Sequence, residues 1–280
     1  MTLYLGCPVW ANTDWKNLLY DNDLAPSDFL ANYSRFFNSV EGNTTFYATP
    51  TTENIQKWLQ QSQADFRFTL KLPRSISHLF DQWQPELLQQ WLQLFLPLRN
   101  KIGLLHLQLP AHFSPAAMPW LQQMLGAVRP LYPLAVEVRH PAFFDKAEHE
   151  IRLNRLLRDW ETERVIFDSR ALFSVAPTTV QLAEAQRKKP YLPVHAIALS
   201  QTPMLRFVGV DDPDRNRLYY QPWLAKVRQW LHEGRSPYLF FHSPDNQTSP
   251  LLARQFVQEL GINHPILQPW LAPPPQLNLL

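Results

Sequence analysis

The chain has 280 residues, 45% of them hydrophobic, and 26 basic residues against 24 acidic ones leave a net charge of +2. This composition excludes a disordered chain and a binder that relies on broad phosphate neutralisation. The single Cys7 excludes an internal disulfide framework and a cysteine-ligated zinc, and with only 7 glycines there is no GxGxxG or GxxxxGK[ST] phosphate loop.

The opening MTLYLGCPVW lacks the charged start and long apolar stretch of a signal peptide. No apolar run reaches the roughly 18 residues needed to span a bilayer. A soluble cytoplasmic protein with no membrane contact is expected.

Strand-like runs follow at 3–6, 38–43, 66–72, 103–109, 134–139, 164–169, 204–209 and 238–242. Prolines close several of them, as in KLP (71–73), QLP (108–110) and RHP (139–141), because proline cannot continue a central strand. Helix-like runs fall between most of them, at 27–37, 52–62, 85–98, 118–128, 150–160, 221–234 and 250–260. In QPWLAKVRQWL the apolar positions Trp223, Leu224, Val227, Trp230 and Leu231 keep a 3.6-residue period.

Eight strands alternating with helices predict an α/β fold of one domain, a TIM-type (β/α)8 parallel barrel over residues 1–267. A doubly wound open sheet is the alternative. Residues 171–202, between strands six and seven, break the regularity with only a short helical fragment, TVQLAEAQRKK. A connection that long is usually functional or mobile. Residues 268–280 form a Pro-rich tail.

Alternate residues of a barrel strand face inward. On that phase lie Glu41 and Asn43, then Arg67, Thr69 and Lys71, then His106 and Gln108. Glu137 and Arg139, Asp168, Arg206 and His242 follow. Most sit toward strand C-termini, the end at which such barrels carry their sites. His78 and His140 belong to the rim, and Trp10, Trp15 and Tyr47 offer stacking surfaces from nearby loops. The competing reading of the ring is a buried ion-pair network that only stabilises the fold. For His106 a hydrogen-bonded core histidine is the simpler account, and QRKK (186–189) is either a solvated face or a lid over an anion.

The phrases VEGNTTFYATP (40–50), FRFTLKLPRSISH (66–78), GLLHLQLP (103–110), AVEVRHPAFF (135–144), LRFVG (205–209) and YLFFHSPDN (238–246) resemble those of the YecE-like family, domain of unknown function 72. The resemblance runs in order over nearly the whole chain. It implies a TIM-type barrel with a polar pocket at its C-terminal mouth, formed by Glu41, Asn43, Tyr47, Lys71, His78, Gln108, Glu137, Arg139 and Arg206. Where many members carry an Asn pair after the last strand and a His after the aromatic of strand seven, this chain has His242-Ser243 and Val208. The resemblance carries no reaction with it.

Three chemistries fit the ring. The first is cofactor-free acid/base catalysis on a small anionic, phosphate- or carboxylate-bearing substrate. Glu41 or Glu137 would be the base, and Lys71, Arg139 and Arg206 would hold the anion; in a variant, Lys71 forms a Schiff base. The second is a divalent-metal phosphoester hydrolase with Glu41, Glu137, Asp168 and a histidine as ligands, although no HxH or HExxH occurs. The third is a metabolite-binding protein without catalysis. Nucleic-acid binding through the basic loop is a weaker fourth, and the oligomeric state stays open.

Overall fold

A computed structural model describes residues 1–271. The last nine residues of the Pro-rich tail lie outside the described residues, while its start is fixed: the Trp270 indole donates to Ile266 O at 3.0 Å and lies under the Arg254 guanidinium.

Nine short strands are present among the described residues, every pairing between them parallel. They are β1 (Tyr4–Gly6), β2 (Ser39–Gly42), β3 (Arg67–Lys71), β4 (Ile102–Gln108), β5 (Leu134–Glu137), β6 (Glu163–Arg164), β7 (Ile166–Asp168), β8 (Met204–Val208) and β9 (Tyr238–His242). They form two sheets, one of four strands in the order β1-β9-β8-β7 and one of five in the order β2-β3-β4-β5-β6. The expected closed eight-stranded barrel is therefore incorrect: the backbone ladder stops at two places.

At the first seam one backbone bond crosses, Glu41 N donating to Cys7 O at 3.0 Å, and side chains take the other bonds that a ladder between β1 and β2 would use. Asn38 accepts from Leu5 N at 2.8 Å and donates to Leu3 O at 2.8 Å. The Tyr33 hydroxyl accepts from Cys7 N and donates to Ser39 O. The two strands come close all the same. A Cβ on Gly6 would lie 2.4 Å from Ser39 O, so only glycine fits there. The second seam is Val165. What reads as one strand over 164–169 is two, since β6 pairs with β5 and β7 pairs with β8.

The two sheets nevertheless share an interior. Leu104 and Ala135 of the five-stranded sheet pack with Met204, Tyr238 and Phe240 of the four-stranded one and with Val165 between them. This apolar floor underlies the charged side chains described below. Helices cover the outer faces, burying four of the five positions anticipated from the 3.6-residue period and half-burying the fifth, Leu231. In the helix Pro213–His232, Trp223, Leu224, Val227 and Trp230 face inward. Among the described residues, no helix is long and apolar enough to cross a membrane.

The long connection contributes a 3-10 turn, Leu172–Ser174, and one α-helix, Val180–Lys188, started by the Thr179 hydroxyl accepting from Leu182 N and followed by Pro190. Proline disfavours helical backbone in the residue before it, which stops the helix at Lys189. Leu182 and Ala185 bury against Phe167, Leu172, Val208 and Val210. Gln186 donates to Leu172 O and Val175 O. Farther on, the buried Glu163 carboxylate accepts from Leu199 N and from both the backbone and hydroxyl of Ser200. The connection is thus tied to the body at both ends.

Candidate functional site

Above the apolar floor lies a layer of charge centred on Arg206. Its Nε and Nη2 donate to the two oxygens of Glu41 at 2.8 and 2.7 Å, and its Nη1 donates to Glu137 Oε2. The other oxygen of Glu137 receives Arg139 through Nε at 2.8 Å and Nη2 at 2.6 Å. Glu41 Oε2 also meets His242 Nε2 at 3.0 Å. Phe167 closes one side, its ring 5.1 Å from the Arg206 guanidinium carbon.

Burial alone would raise both carboxyl pKa values. Their neighbours outweigh it: the Arg206 charge, the His242 hydrogen bond and Lys71 for Glu41, Arg206 and Arg139 for Glu137, so that each is held well below the usual carboxylate range. For Arg206 burial is likewise the largest influence and opposes the charge, and the two carboxylates more than offset it, raising its pKa. Charge-assisted forks of this kind are the strong hydrogen bonds of proteins. All four carboxylate oxygens have cationic or imidazole neighbours, and both acids are fixed anions across the ordinary pH range.

Lys71, at the end of β3, is different. Its Nζ donates to Gln108 Oε1 at 3.1 Å and stands 3.6 Å from Glu41 Oε1, an oxygen already bonded to Arg206. Burial, reinforced by Arg206 and only partly countered by Glu41 and Glu137, lowers its pKa to about 7. This amine exchanges a proton near neutrality.

Lys71, Gln108, Arg206 and His242 line one cavity of about 490 Å³, together with Asn43, Phe46, Tyr47, Arg74, His78, Arg139, Lys188 and Lys189 among others. The volume is that of a small-molecule site. The short helix Thr44–Tyr47 brings Phe46 and the exposed Tyr47 to it, with the Phe46 ring 5.6 Å from Lys71 Nζ. Asn43 is braced by Nδ2 donation to Pro8 O at 3.0 Å. His78, half-buried, has Nδ1 3.0 Å from the Ser77 hydroxyl. Burial and the charges of Arg139 and Arg74 lower its pKa to about 4, so the ring is neutral. Burial, with Arg206 beside it, lowers Lys189 to about 8.

Most of the sequence-predicted residues converge here, namely Glu41, Asn43, Tyr47, Lys71, His78, Gln108, Glu137, Arg139 and Arg206, the two acids beneath the lining rather than in it. Two do not. Asp168 points the other way, bonding Trp223 Nε1 at 2.7 Å and Arg170 through both oxygens. Side chains alternate without a break through this segment: Arg164, Ile166 and Asp168 face the helices while Val165 and Phe167 face the interior, so the expected inward phase was off by one residue. His140 lies outside the lining, its Nδ1 accepting from Ala142 N. His106 lies inside but is not a satisfied core histidine. Its Nε2 is 3.3 Å from Glu137 Oε2 yet out of line for a hydrogen bond, and neither ring nitrogen has a partner. Trp15 is fully buried and Trp10 packs on Trp58, so neither lines the cavity.

Arg74, Lys188 and Lys189 are the lining cations that strand phase could not reveal. The signal for the two lysines was the QRKK run, whose buried companions Leu182 and Ala185 steer the helix end toward the mouth. Among the described residues, no three His, Cys, Asp or Glu side chains gather as a metal site. The expected hydrolase ligands Glu41 and Glu137 are bonded to arginine, and Asp168 lies elsewhere.

A family model described as "Protein of unknown function DUF72" matches residues 4–277. The chain belongs to the DUF72 family. A relative of similar length, "UPF0759 protein YecE" of Escherichia coli (strain K12), is 40% identical over 259 residues, 92% of each chain. "UPF0759 protein YunF" of Bacillus subtilis (strain 168) is 25% identical over 170 residues, 54% of this chain and 56% of its own. Two crystal structures of DUF72 proteins share the fold. TM1631 of Thermotoga maritima MSB8 has a TM-score of 0.69 at 24% identity, covering 94% of this chain and 100% of its own. EF0366 of Enterococcus faecalis V583 has a TM-score of 0.74 at 16% identity, covering 94% and 97%.

Proposed function

We propose that the cavity binds a small phosphate- or carboxylate-bearing molecule and that Lys71 is the group that reacts with it. The observation that carries this reading is the lining itself. Lys71, Arg74, Arg139, Lys188, Lys189 and Arg206 contribute six cationic side chains, His78 and His242 two imidazoles, and no carboxylate is among the lining residues. Arg139 and Arg206 are matched by the buried acids, whereas Arg74 and Lys189 make no ion pair among the described residues. An anion entering from the mouth meets that unmatched charge in a site partly screened from water, where Coulomb attraction is strong.

In this reading Glu41 and Glu137 are fixed counter-charges that hold Arg206 and Arg139 in place, and the proton-exchanging role they were expected to share falls to Lys71. A weakly held amine that titrates near neutrality suits proton transfer at a bound anion, and catalytic groups work best with a pKa near the operating pH.

Titration calorimetry with inorganic phosphate, three- to six-carbon sugar phosphates and short carboxylic acids tests the reading. Saturable binding of at least one of them is expected, weakened by added salt and by Arg74→Ala. Absence of binding by all of them to folded protein would overturn it.

A further inference from the structure

The proposed function leaves open what Lys71 does to a bound anion, and the surroundings of its nitrogen narrow the choice. Nζ lies at the buried end of a cavity whose rim carries Arg74, Arg139, Lys188 and Lys189. A ligand held by its anionic group at that rim would present its remaining atoms to the amine. One hydrogen bond, to Gln108 Oε1, orients the nitrogen. Glu41, the neighbouring carboxylate, spends both oxygens on Arg206 and His242 and remains 3.6 Å away. The Phe46 ring adds an apolar flank at 5.6 Å. A lone pair that is neither spent on an ion-pair hydrogen bond nor exposed to bulk water is a nucleophile as well as a base.

We propose that Lys71 forms an imine with the carbonyl group of a small anionic aldehyde or ketone seated in this cavity. The inference rests on the anion-binding reading above and adds the substrate class. The nitrogen lone pair adds to the carbonyl carbon, and the two amine hydrogens leave with the carbonyl oxygen as water. A carbon–nitrogen double bond replaces the carbon–oxygen one, and no oxidant, reductant or metal is consumed. The product, protonated on nitrogen, draws electrons from the adjacent carbon and so favours proton removal or carbon–carbon cleavage there. The fraction of neutral amine supports the choice of residue. An ordinary lysine is neutral in only about one molecule in 2,500 at pH 7, while Lys71, lowered to about 7, is neutral in about half.

The test uses the full-length protein near neutral pH. It is incubated with dihydroxyacetone phosphate or with pyruvate and reduced with borohydride, and the modified lysines are mapped by mass spectrometry. Binding of inorganic phosphate is measured in parallel by calorimetry. The expected result is a reduced adduct on Lys71 at least about tenfold above exposed lysines such as Lys57 and Lys146. It should be suppressed by inorganic phosphate and absent in Lys71→Arg. The compound that labels tells whether the anionic group is phosphate or carboxylate. If Lys71 is labelled no more than the exposed lysines while inorganic phosphate still binds, the imine assignment is wrong and the anion site stands. If neither labelling nor phosphate binding occurs, both are wrong.

Discussion

Arg206 and Glu41, 165 positions apart and in different sheets, are joined by two hydrogen bonds of 2.7 and 2.8 Å in the buried interior. With Glu137 on its remaining nitrogen, Arg206 ties the sheets together where no backbone ladder does. Replacing it by Met leaves two buried carboxylates without their principal counter-charge. Breaking a buried pair in this way typically costs about 3–5 kcal/mol, which for a chain of this size lowers Tm by roughly ten degrees. Arg206→Lys should recover only part of this, since an ammonium cannot make the fork. A calorimetric Tm for Arg206→Met within a degree or two of the parent would show that the tie contributes little.

Stability should fall on mild acidification, because two buried histidines outweigh the one opposing carboxyl, Glu163, which burial raises to about 7. Burial lowers His106 to about 4 and His242 to about 3. Unfolded histidine titrates near 6.5. Between those values the unfolded chain binds more protons than the folded one, so stability drops as pH falls through this window, by up to about 1.4 kcal/mol per pH unit for each group. The depressed pKa values of Glu41 and Glu137 add loss in the same direction below about 4.3, the unfolded value for glutamate. His106→Phe should flatten the Tm profile between about 6.5 and 4. An unchanged slope would remove His106 from the account.

The neighbouring lysines at the helix end should behave unequally. Lys188 is exposed and paired with Glu184 one turn back, whereas Lys189 is half-buried and feels Arg206, Glu41 and Glu137. Lys189→Ala should weaken phosphate binding by about tenfold, the magnitude of one charge-assisted hydrogen bond. Lys188→Ala should change it by less than about threefold, as expected of an exposed pair. Calorimetry on the two variants separates them, and equal effects would contradict the arrangement at the mouth.

Asp168→Ala should damage the fold and spare binding. It removes the acceptor of the buried Trp223 indole and three bonds from Arg170, a loss of about 1–3 kcal/mol. Urea unfolding should show that loss while phosphate affinity stays within about twofold. A variant that folds normally but no longer binds phosphate would return Asp168 to the site.

Much of this site could be read from strand phase alone. Glu41, Lys71, Gln108, Glu137 and Arg206 occupy alternate positions in otherwise apolar runs, and a two-residue period leaves them one common face. The same reasoning failed at Asp168, where it chose the wrong one of two possible phases: Val165 and Phe167 face in, and Asp168 faces the helices. In RVIFDS each phase mixes apolar and polar residues, Ile166 with Arg164 and Asp168, Val165 and Phe167 with Ser169, so no local pattern encodes which one faces in. Closure failed as an expectation for a related reason. Asn38 and Tyr33 look like ordinary loop and helix residues until their polar atoms are seen on the backbone of β1 and β2. Arg74 follows a strand and carries no phase signal. The role of Lys189 depends on how the preceding helix packs.

The order of strands in the two sheets bears on how the molecule assembles during synthesis. The five-stranded sheet uses β2 to β6, consecutive segments that can pair as soon as they are made. Its partner sheet places β1 beside β9, with Tyr4 opposite Tyr238, and non-local pairing of that kind is slow. Until β8 supplies Arg206, Glu41 lacks its two-bond partner and Glu137 has only Arg139, so neither carboxylate is drawn fully out of water. The early sheet therefore waits with an open, hydrated inner face, and the cavity is completed only when the last third of the chain docks. Recovery of anion binding should accordingly trail recovery of secondary structure in a refolding experiment.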